Sequence, residues 1–341
     1  MPYIPQFTIR PQLLAKVERI AVLRERIRAA AVDLAWIPAL QKDSRSRNVH
    51  ASTAIEGNPL TLEQVRALEE GRSLSASSPR SEREVLNYFA GLRYIEQHAD
   101  TECIRHEDIF ELHRILAEGV MDQGQAGRYR TVPVRVGNYT PPPVQEVSPL
   151  MMELLDWWNG PAAALSPVLS SAILHYRFEE IHPFADGNGR TGRALSLWDL
   201  YRRGFDTHHL FAVDEYYWED RPLYYQSIAQ VRSDGGDLSG WLEYCAEGYH
   251  QTLERAWLRL QTLGVSSRSK LLIKPKQEQL LLLLRDHGEM APAEIWNALG
   301  VSRQGAMDTI NPLLEAGIIE KVGSRKTGRY RLVSARPKKG V

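Results

Sequence analysis

The feature that most constrains the fold is a glycine-rich loop set between two helices. The segment Ile181-His182-Pro183-Phe184-Ala185-Asp186-Gly187-Asn188-Gly189-Arg190-Thr191-Gly192-Arg193 follows helical patterning over 164–180 and leads into more of it over 190–203. It contains Gly-x-Gly-x-x-Gly (Gly187, Gly189, Gly192), yet a dinucleotide fingerprint needs a strand before the glycines and a βαβ unit around them. Here a helix precedes them, and no Gly-Lys-Ser/Thr follows to make a Walker A loop. What is left is a tight loop, Gly187-Asn188-Gly189, opening onto the positive end of a helix, where backbone N–H groups favour an anion. Arg190 and Arg193, three apart, share a helix face and form a guanidinium pair suited to bidentate phosphate contact. Asp186 is a hard oxygen donor beside that site, where Mg²⁺ bridging phosphates would bind. His182 is the natural general base. A base, a metal carboxylate, an amide nest and paired arginines in one segment make a kit for phosphoryl or nucleotidyl transfer.

The surrounding chain is mostly helical. Apolar residues recur at helical spacing over 12–35 (Leu13, Val17, Ile20, Leu23, Ile27) and over 238–262. Thr61-x-x-Gln64 and Ser81-x-x-Glu84 are capping boxes that predict two helix starts, and Ser148-Pro149 predicts a third. Residues 129–139 break the pattern: they alternate, then end in Gly137-Asn138, a hairpin turn signal. Pro133 confines that hairpin to an edge or an isolated pair, and Pro141–Pro143 stop it. After a polar linker come helical segments at 276–286, 291–299 and 302–315. Two strands, 317–321 and 328–332, then flank a basic turn, in winged helix-turn-helix order.

Charge follows the same division. The chain is neutral overall, but residues 266–341 carry 14 Lys/Arg against 7 Asp/Glu. A basic tail on an acidic body points to a nucleic-acid contact for the tail only, and a solvated tail without one fits as well. If the tail reads DNA, Ser302-Arg303-Gln304 open the recognition helix and Arg325, Lys326 and Arg329 contact phosphates from the wing. The longest aliphatic run, Leu280–Leu284, is far short of a membrane span, and the first residues lack a signal-peptide pattern. Cys103 and Cys245 read as two thiols in a reducing cytoplasm rather than a bridge.

The segment His182-Pro183-Phe184-x-Asp186-Gly187-Asn188-Gly189-Arg190-x-x-Arg193 resembles the signature of the Fic (filamentation-induced-by-cAMP) proteins at every position. The resemblance extends over roughly residues 40–262. It implies a mainly α protein: a Fic-fold helical bundle with a small β-hairpin flap, plus the C-terminal winged helix-turn-helix domain. The domains expected are 1–105 (N-terminal helices with an inhibitory helix), 106–262 (catalytic core), 263–275 (linker) and 276–335 (winged helix). It further implies a protein adenylyltransferase that moves AMP from ATP to a Ser, Thr or Tyr hydroxyl of a protein target, and of itself, releasing pyrophosphate. His182 would deprotonate the hydroxyl, Asp186 would hold Mg²⁺, and Gly187, Asn188 and Gly189 would cradle the α- and β-phosphates. Arg190 and Arg193, with Thr191 and Gly192 between them, would complete the nucleotide site at the β- and γ-phosphates. The target would dock on the 129–139 flap by strand addition, with Val134, Arg135, Val136 and Gly137 on the nucleotide side. Tyr224-Tyr225 resemble the adenine-side segment, and Arg232 stands where some relatives carry Asn.

Ser52-Thr53-Ala54-Ile55-Glu56-Gly57-Asn58 resembles the family's inhibitory motif. Ser52 and Glu56 are i, i+4 and share a helix face, and Gly57 ends that helix. By the resemblance Glu56 would pair with Arg193 and take the place of the γ-phosphate, inhibiting in cis. Gly189 argues against a Doc-like kinase, which usually carries Lys near that position. Three alternatives stay open: AMP removal at the same site, a DNA-binding regulator with a Fic sensor domain, and a homodimer.

Overall fold

A computed structural model describes residues 2–29, 37–75, 77–205, 209–265, 274–323 and 328–333. The chain divides into two compact units, residues 1–24 with 40–252, and residues 25–39 with 253–341. In chain order the helices of the first division are α1 (Pro11–Arg28), α2 (Ile37–Ile55), α3 (Leu62–Glu69), α4 (Pro79–Gln97), α5 (His106–Ala117), α6 (Val144–Asn159), α7 (Pro167–Ile181), α8 (Asn188–Arg202), α9 (Asp214–Glu219), α10 (Arg221–Ser233) and α11 (Ser239–Val265). The ends of α1 and α11 belong to the second unit.

At the centre of the first unit lies α8. It is buried on every side, with Leu195, Trp198 and Leu200 fully enclosed, as an all-round covered helix must be. Helices α7, α4 and α5 pack against it. Its polar residues are paired rather than solvated: Asp199 accepts from Trp158 Nε1 (2.7 Å) and from the Ser170 hydroxyl. Burial of that kind fixes the N-terminal end of α8, and with it the glycine loop, on a rigid frame.

Several starts differ from the sequence expectation. The Thr61–Gln64 capping box opens α3, with both reciprocal hydrogen bonds present. Ser81, however, lies inside α4, which begins at Pro79 behind Ser78, because a proline is best placed in the first turn. Helix α6 begins at Val144, directly after the triple proline, and runs through Pro149. That proline removes only the bond to the Gln145 carbonyl, on the exposed side of the first turn. The 129–139 hairpin reduces to one antiparallel bridge, Val136 with Tyr139, closed by the Gly137-Asn138 turn with Gly137 at φ +57°. Pro133 offers no N–H, and Arg130 is drawn away: its N–H donates to the Pro183 carbonyl and its Nε to that of His182, each at 2.9 Å.

The second unit holds α12 (Pro275–His287), β1 (Glu289–Met290), α13 (Pro292–Leu299), α14 (Arg303–Glu315), β2 (Ile319–Val322) and β3 (Arg329–Leu332). The antiparallel sheet has the order β1-β3-β2, with Met290 opposite Tyr330 and Ile319 opposite Leu332. This is the expected order of elements, with the short β1 added. Helix α14 continues through Pro312, whose missing bond again falls on an exposed residue, Asp308. Leu258 and Arg259, expected in the catalytic core, pack within this unit: Leu258 joins its apolar cluster and Arg259 pairs with buried Glu278 at 2.7 Å. Residues 30–36, most of the expected linker (266–273), and Arg325 and Lys326 of the wing turn lie outside the described residues. Cys103 and Cys245 are both free thiols. No helix among the described residues is long and apolar enough to cross a membrane.

Candidate active site

The loop is built from the two helix ends that flank it. Helix α7 stops at Ile181 because His182 turns into the left-handed region (φ +51°, ψ +59°), its N–H still donating to the Phe178 carbonyl. A non-glycine residue held there is strained, and such strain persists only where the surroundings fix it. Arg130 does so by clasping the His182 and Pro183 carbonyls. On the far side Gly187, at φ +79°, admits the chain into α8. Asn188 braces the turn from within: its Oδ1 accepts from the Phe184 N–H (2.8 Å) and its Nδ2 donates to the Phe184 carbonyl (2.9 Å). His113 of α5 stacks on Phe184 at 3.6 Å, donates from Nε2 to the Asp186 carbonyl, and accepts the Gly127 N–H at Nδ1.

A cavity of about 650 Å³ opens beside this loop, within the ~300–1,000 Å³ of small-molecule sites. Of the residues expected from sequence, Glu56, Val136, Gly137, His182, Gly189, Arg193, Tyr224 and Tyr225 line it. Asp186, Gly187, Asn188, Arg190, Thr191, Gly192, Val134 and Arg135 do not. The expected arginine pair is divided between partners. Arg193 is fully buried, with Nε donating to Ser52 Oγ (2.8 Å) and Nη2 to the Ser52 carbonyl (2.9 Å) and to Glu56 Oε1 (2.7 Å). Arg190 instead sits between Glu84 (3.8 Å) and Asp186 (3.9 Å). The Thr191 hydroxyl donates to the Gly187 carbonyl.

Electrostatics sort the groups by role. Burial lowers the His182 pKa to about 4, so the imidazole is neutral at pH 7 and able to accept a proton. Burial would raise that of Glu56, but the charge and hydrogen bond of Arg193, with Arg190 and Arg221 behind them, hold it below the usual carboxylate range. Gly189 makes room for this pair. A Cβ there would overlap Glu56 Oε1 and lie 3.2 Å from Arg193 Nη1.

Four contributors escaped the sequence reading. Glu179 lines the cavity, Tyr139 closes it under the Arg232 guanidinium (3.9 Å to the ring centre), Asp214 lies 3.8 Å from Arg193 Nε, and Arg130 holds the loop. Glu179 had a local signal in its place one helical turn before His182, and Arg130 and Tyr139 fall within the expected 129–139 flap. Asp214 reaches the site only through the tertiary fold.

Known proteins resemble this arrangement. Residues 103–200 match the model of the Fic/DOC family. Protein adenylyltransferase fic-1 of Caenorhabditis elegans is 35% identical over 212 residues, 61% of this chain and 40% of that protein. Protein adenylyltransferase Fic of Nematostella vectensis is 31% identical over 226 residues, 65% of this chain and 51% of that protein. The matches thus span about two fifths to half of those relatives. Among solved structures, a Fic family protein from Desulfovibrio desulfuricans superposes with a TM-score of 0.67 at 29% identity, covering 98% of this chain and 100% of that one. A fragment of Fic-1 from C. elegans gives a TM-score of 0.64 at 28% identity, covering 74% and 73%.

Proposed function

With residues 103–200 forming a Fic/DOC family domain, we propose that this chain is a protein adenylyltransferase held in check by its own Glu56. It would transfer AMP from ATP to a Ser, Thr or Tyr hydroxyl of a protein target and of itself. The observation that carries this reading is that one cavity joins the neutral imidazole of His182, the Gly189 end of α8 and the Arg193 guanidinium. Such a set can take a proton, hold phosphates on backbone N–H groups and neutralise their charge.

The chain's residues then divide the work. The N–H groups of Asn188, Gly189 and Arg190 start α8 without intrahelical acceptors and face the positive helix end, which suits the α- and β-phosphates. Arg193 serves the γ-phosphate once Glu56 leaves it, and Arg190 adds charge from behind. Val136, Gly137, Tyr224 and Tyr225 flank the nucleotide. His182 takes the proton of the target hydroxyl as its oxygen bonds to the α-phosphorus. Pyrophosphate departs with the electron pair of the broken P–O bond. The flap suits target docking, because the backbone of residues 131–135 makes no hydrogen bond among the described residues and is free to pair with an added strand.

Asp186 fits Mg²⁺ by its chemistry. A single carboxylate completed by phosphate oxygens and water is a donor set this cation takes, and Asp186 would supply that carboxylate. When bound, Mg²⁺ neutralises charge on the phosphate oxygens.

Labelled ATP tests the reading. With the Glu56→Gly chain, label from the α-phosphate should appear on protein and label from the γ-phosphate should not. The reverse pattern would make the protein a kinase.

A further inference from the structure

Glu179 sits on the last turn of α7, three residues before His182, and lines the same cavity. His182 has left the helix through its left-handed backbone, so the turn, not helical spacing, brings its ring towards Glu179. Glu179 Oε2 lies 3.7 Å from His182 Nδ1. Both His182 Nδ1 and Glu179 Oε1 are buried without a hydrogen-bond partner among the described residues. Oε2 is the carboxylate oxygen nearest Nδ1, while Oε1 points towards Gly192 and the Glu179 backbone carbonyl also faces the ring; a buried Nδ1–H is costly unless one of these oxygens accepts it. The fold makes space for this carboxylate: a Cβ at Gly192 would fall 2.7 Å from Glu179 Oε1 and 3.2 Å from Phe178 Cδ1. Gly192, absent from the cavity wall, is the seat of Glu179.

We propose that Glu179 is the positioning residue of the base: its carboxylate takes the Nδ1–H of His182, fixing the tautomer whose Nε2 is free to accept the target's proton. The inference rests on the adenylyl-transfer reading. During the step the hydroxyl proton moves to Nε2, the new bond forms at the α-phosphorus, and pyrophosphate leaves with its electron pair. The ring then carries a positive charge, and the Glu179 carboxylate beside Nδ1 stabilises it. The glycine seat also makes the geometry specific, since any side chain at 192 would push the carboxylate off the imidazole.

The charge state of Glu179 depends on everything packed around it. Arg193 of α8 and Arg232 of α10 draw its proton off, Glu56 just after α2 holds it on, Tyr224 lines the same cavity, and His182 Nδ1 lies 3.7 Å away. Burial pushes the carboxyl up to about 7, against the pull of Arg193. Removing Glu56 removes one of the charges that raise it, so in a Glu56→Gly chain the carboxyl titrates lower than in the wild type. Transfer should then weaken on acidification as Glu179 becomes protonated and ceases to orient the base.

The test compares Glu179→Gln and Glu179→Asp in the full-length Glu56→Gly chain, following transfer from α-labelled ATP across the pH range. Gln keeps the size of the side chain and leaves the Glu179 backbone carbonyl, which also faces the ring. Glu179→Gln should lower kcat about tenfold to hundredfold, with KM for ATP within about twofold, and should abolish the acid limb. Glu179→Asp should keep part of the rate and a limb. A rate within about twofold of the parent, or an unchanged limb, overturns the proposal. Imidazole ¹⁵N resonances, with His182 assigned by its loss in His182→Ala, give a second readout that needs no turnover. The His182 ring should be Nδ1-protonated in the parent and a mixture of tautomers in Glu179→Gln; an unchanged tautomer overturns the proposal. A parent that labels nothing would instead sink the adenylyl-transfer reading and leave the resonances to decide the role of Glu179.

Discussion

At the residue scale, the proposed chemistry turns on His182. His182→Ala should abolish transfer while leaving ATP binding near normal, since a general base contributes ~10²–10⁴-fold and need not touch the triphosphate. Isothermal titration with ATP beside a labelling assay separates the two, and transfer left intact would remove His182 from the role of base. Glu56 carries a second prediction. Its folded pKa is depressed, so its contact with Arg193 is present above the ordinary carboxylate value and is lost only as pH falls through the lower folded one. From about pH 5 to pH 8 acidification should therefore not release wild-type inhibition. A wild-type rate that climbs towards the Glu56→Gly rate on going to pH 5 would contradict the assignment. The residues from His182 to Arg193 were legible because they are contiguous and chemically dense. Asp214 and Arg130 were not, because nothing near them in sequence marks the distant groups they hold.

Elements show where local rules win and where they yield. The Thr61 cap acts on its own turn, so Thr61→Ala should cost about 1 kcal/mol in a denaturant titration, with m unchanged. An effect below a few tenths would mean that α3 is held by packing alone. Ser81 and Ser148 carry equally good cap chemistry but lie inside helices, because nearby prolines start the helix sooner. The flap failed as a ladder for a tertiary reason: the buried Arg130 spends its N–H on Pro183. The last turn of α2 is tied down in turn by Tyr225, whose hydroxyl donates to the Ile55 carbonyl at 3.3 Å. One such bond contributes roughly 0.5–1.5 kcal/mol, so Tyr225→Phe should raise wild-type self-labelling about twofold to tenfold while keeping the ring beside the nucleotide. Self-labelling below wild type would show that the hydroxyl serves the nucleotide instead.

For the molecule as a whole, the helical class and the order of elements in the C-terminal unit followed from periodicity and turn residues, whereas the division between units did not. Leu258 and Arg259 continue the pattern of α11 without a break, and only their packing with Glu278 and the Leu-rich α12 assigns them to the second unit. Every residue given a role in catalysis or inhibition lies in the first unit. A chain ending at Thr252 should therefore retain transfer activity in a Glu56→Gly background. A truncated protein with native helix content by circular dichroism and no labelling would contradict that. The central claim, a competent transferase restrained by one carboxylate, is tested most directly by self-labelling from α-labelled ATP in three full-length chains: wild type, Glu56→Gly and Arg193→Ala. Freeing Arg193 for the γ-phosphate should raise labelling in Glu56→Gly about a hundredfold, two tenfold steps of ~1.4 kcal/mol each. Arg193→Ala should stay inactive, because it loses the phosphate ligand together with the brake. Labelling in folded Glu56→Gly at or below the wild-type level would contradict the account.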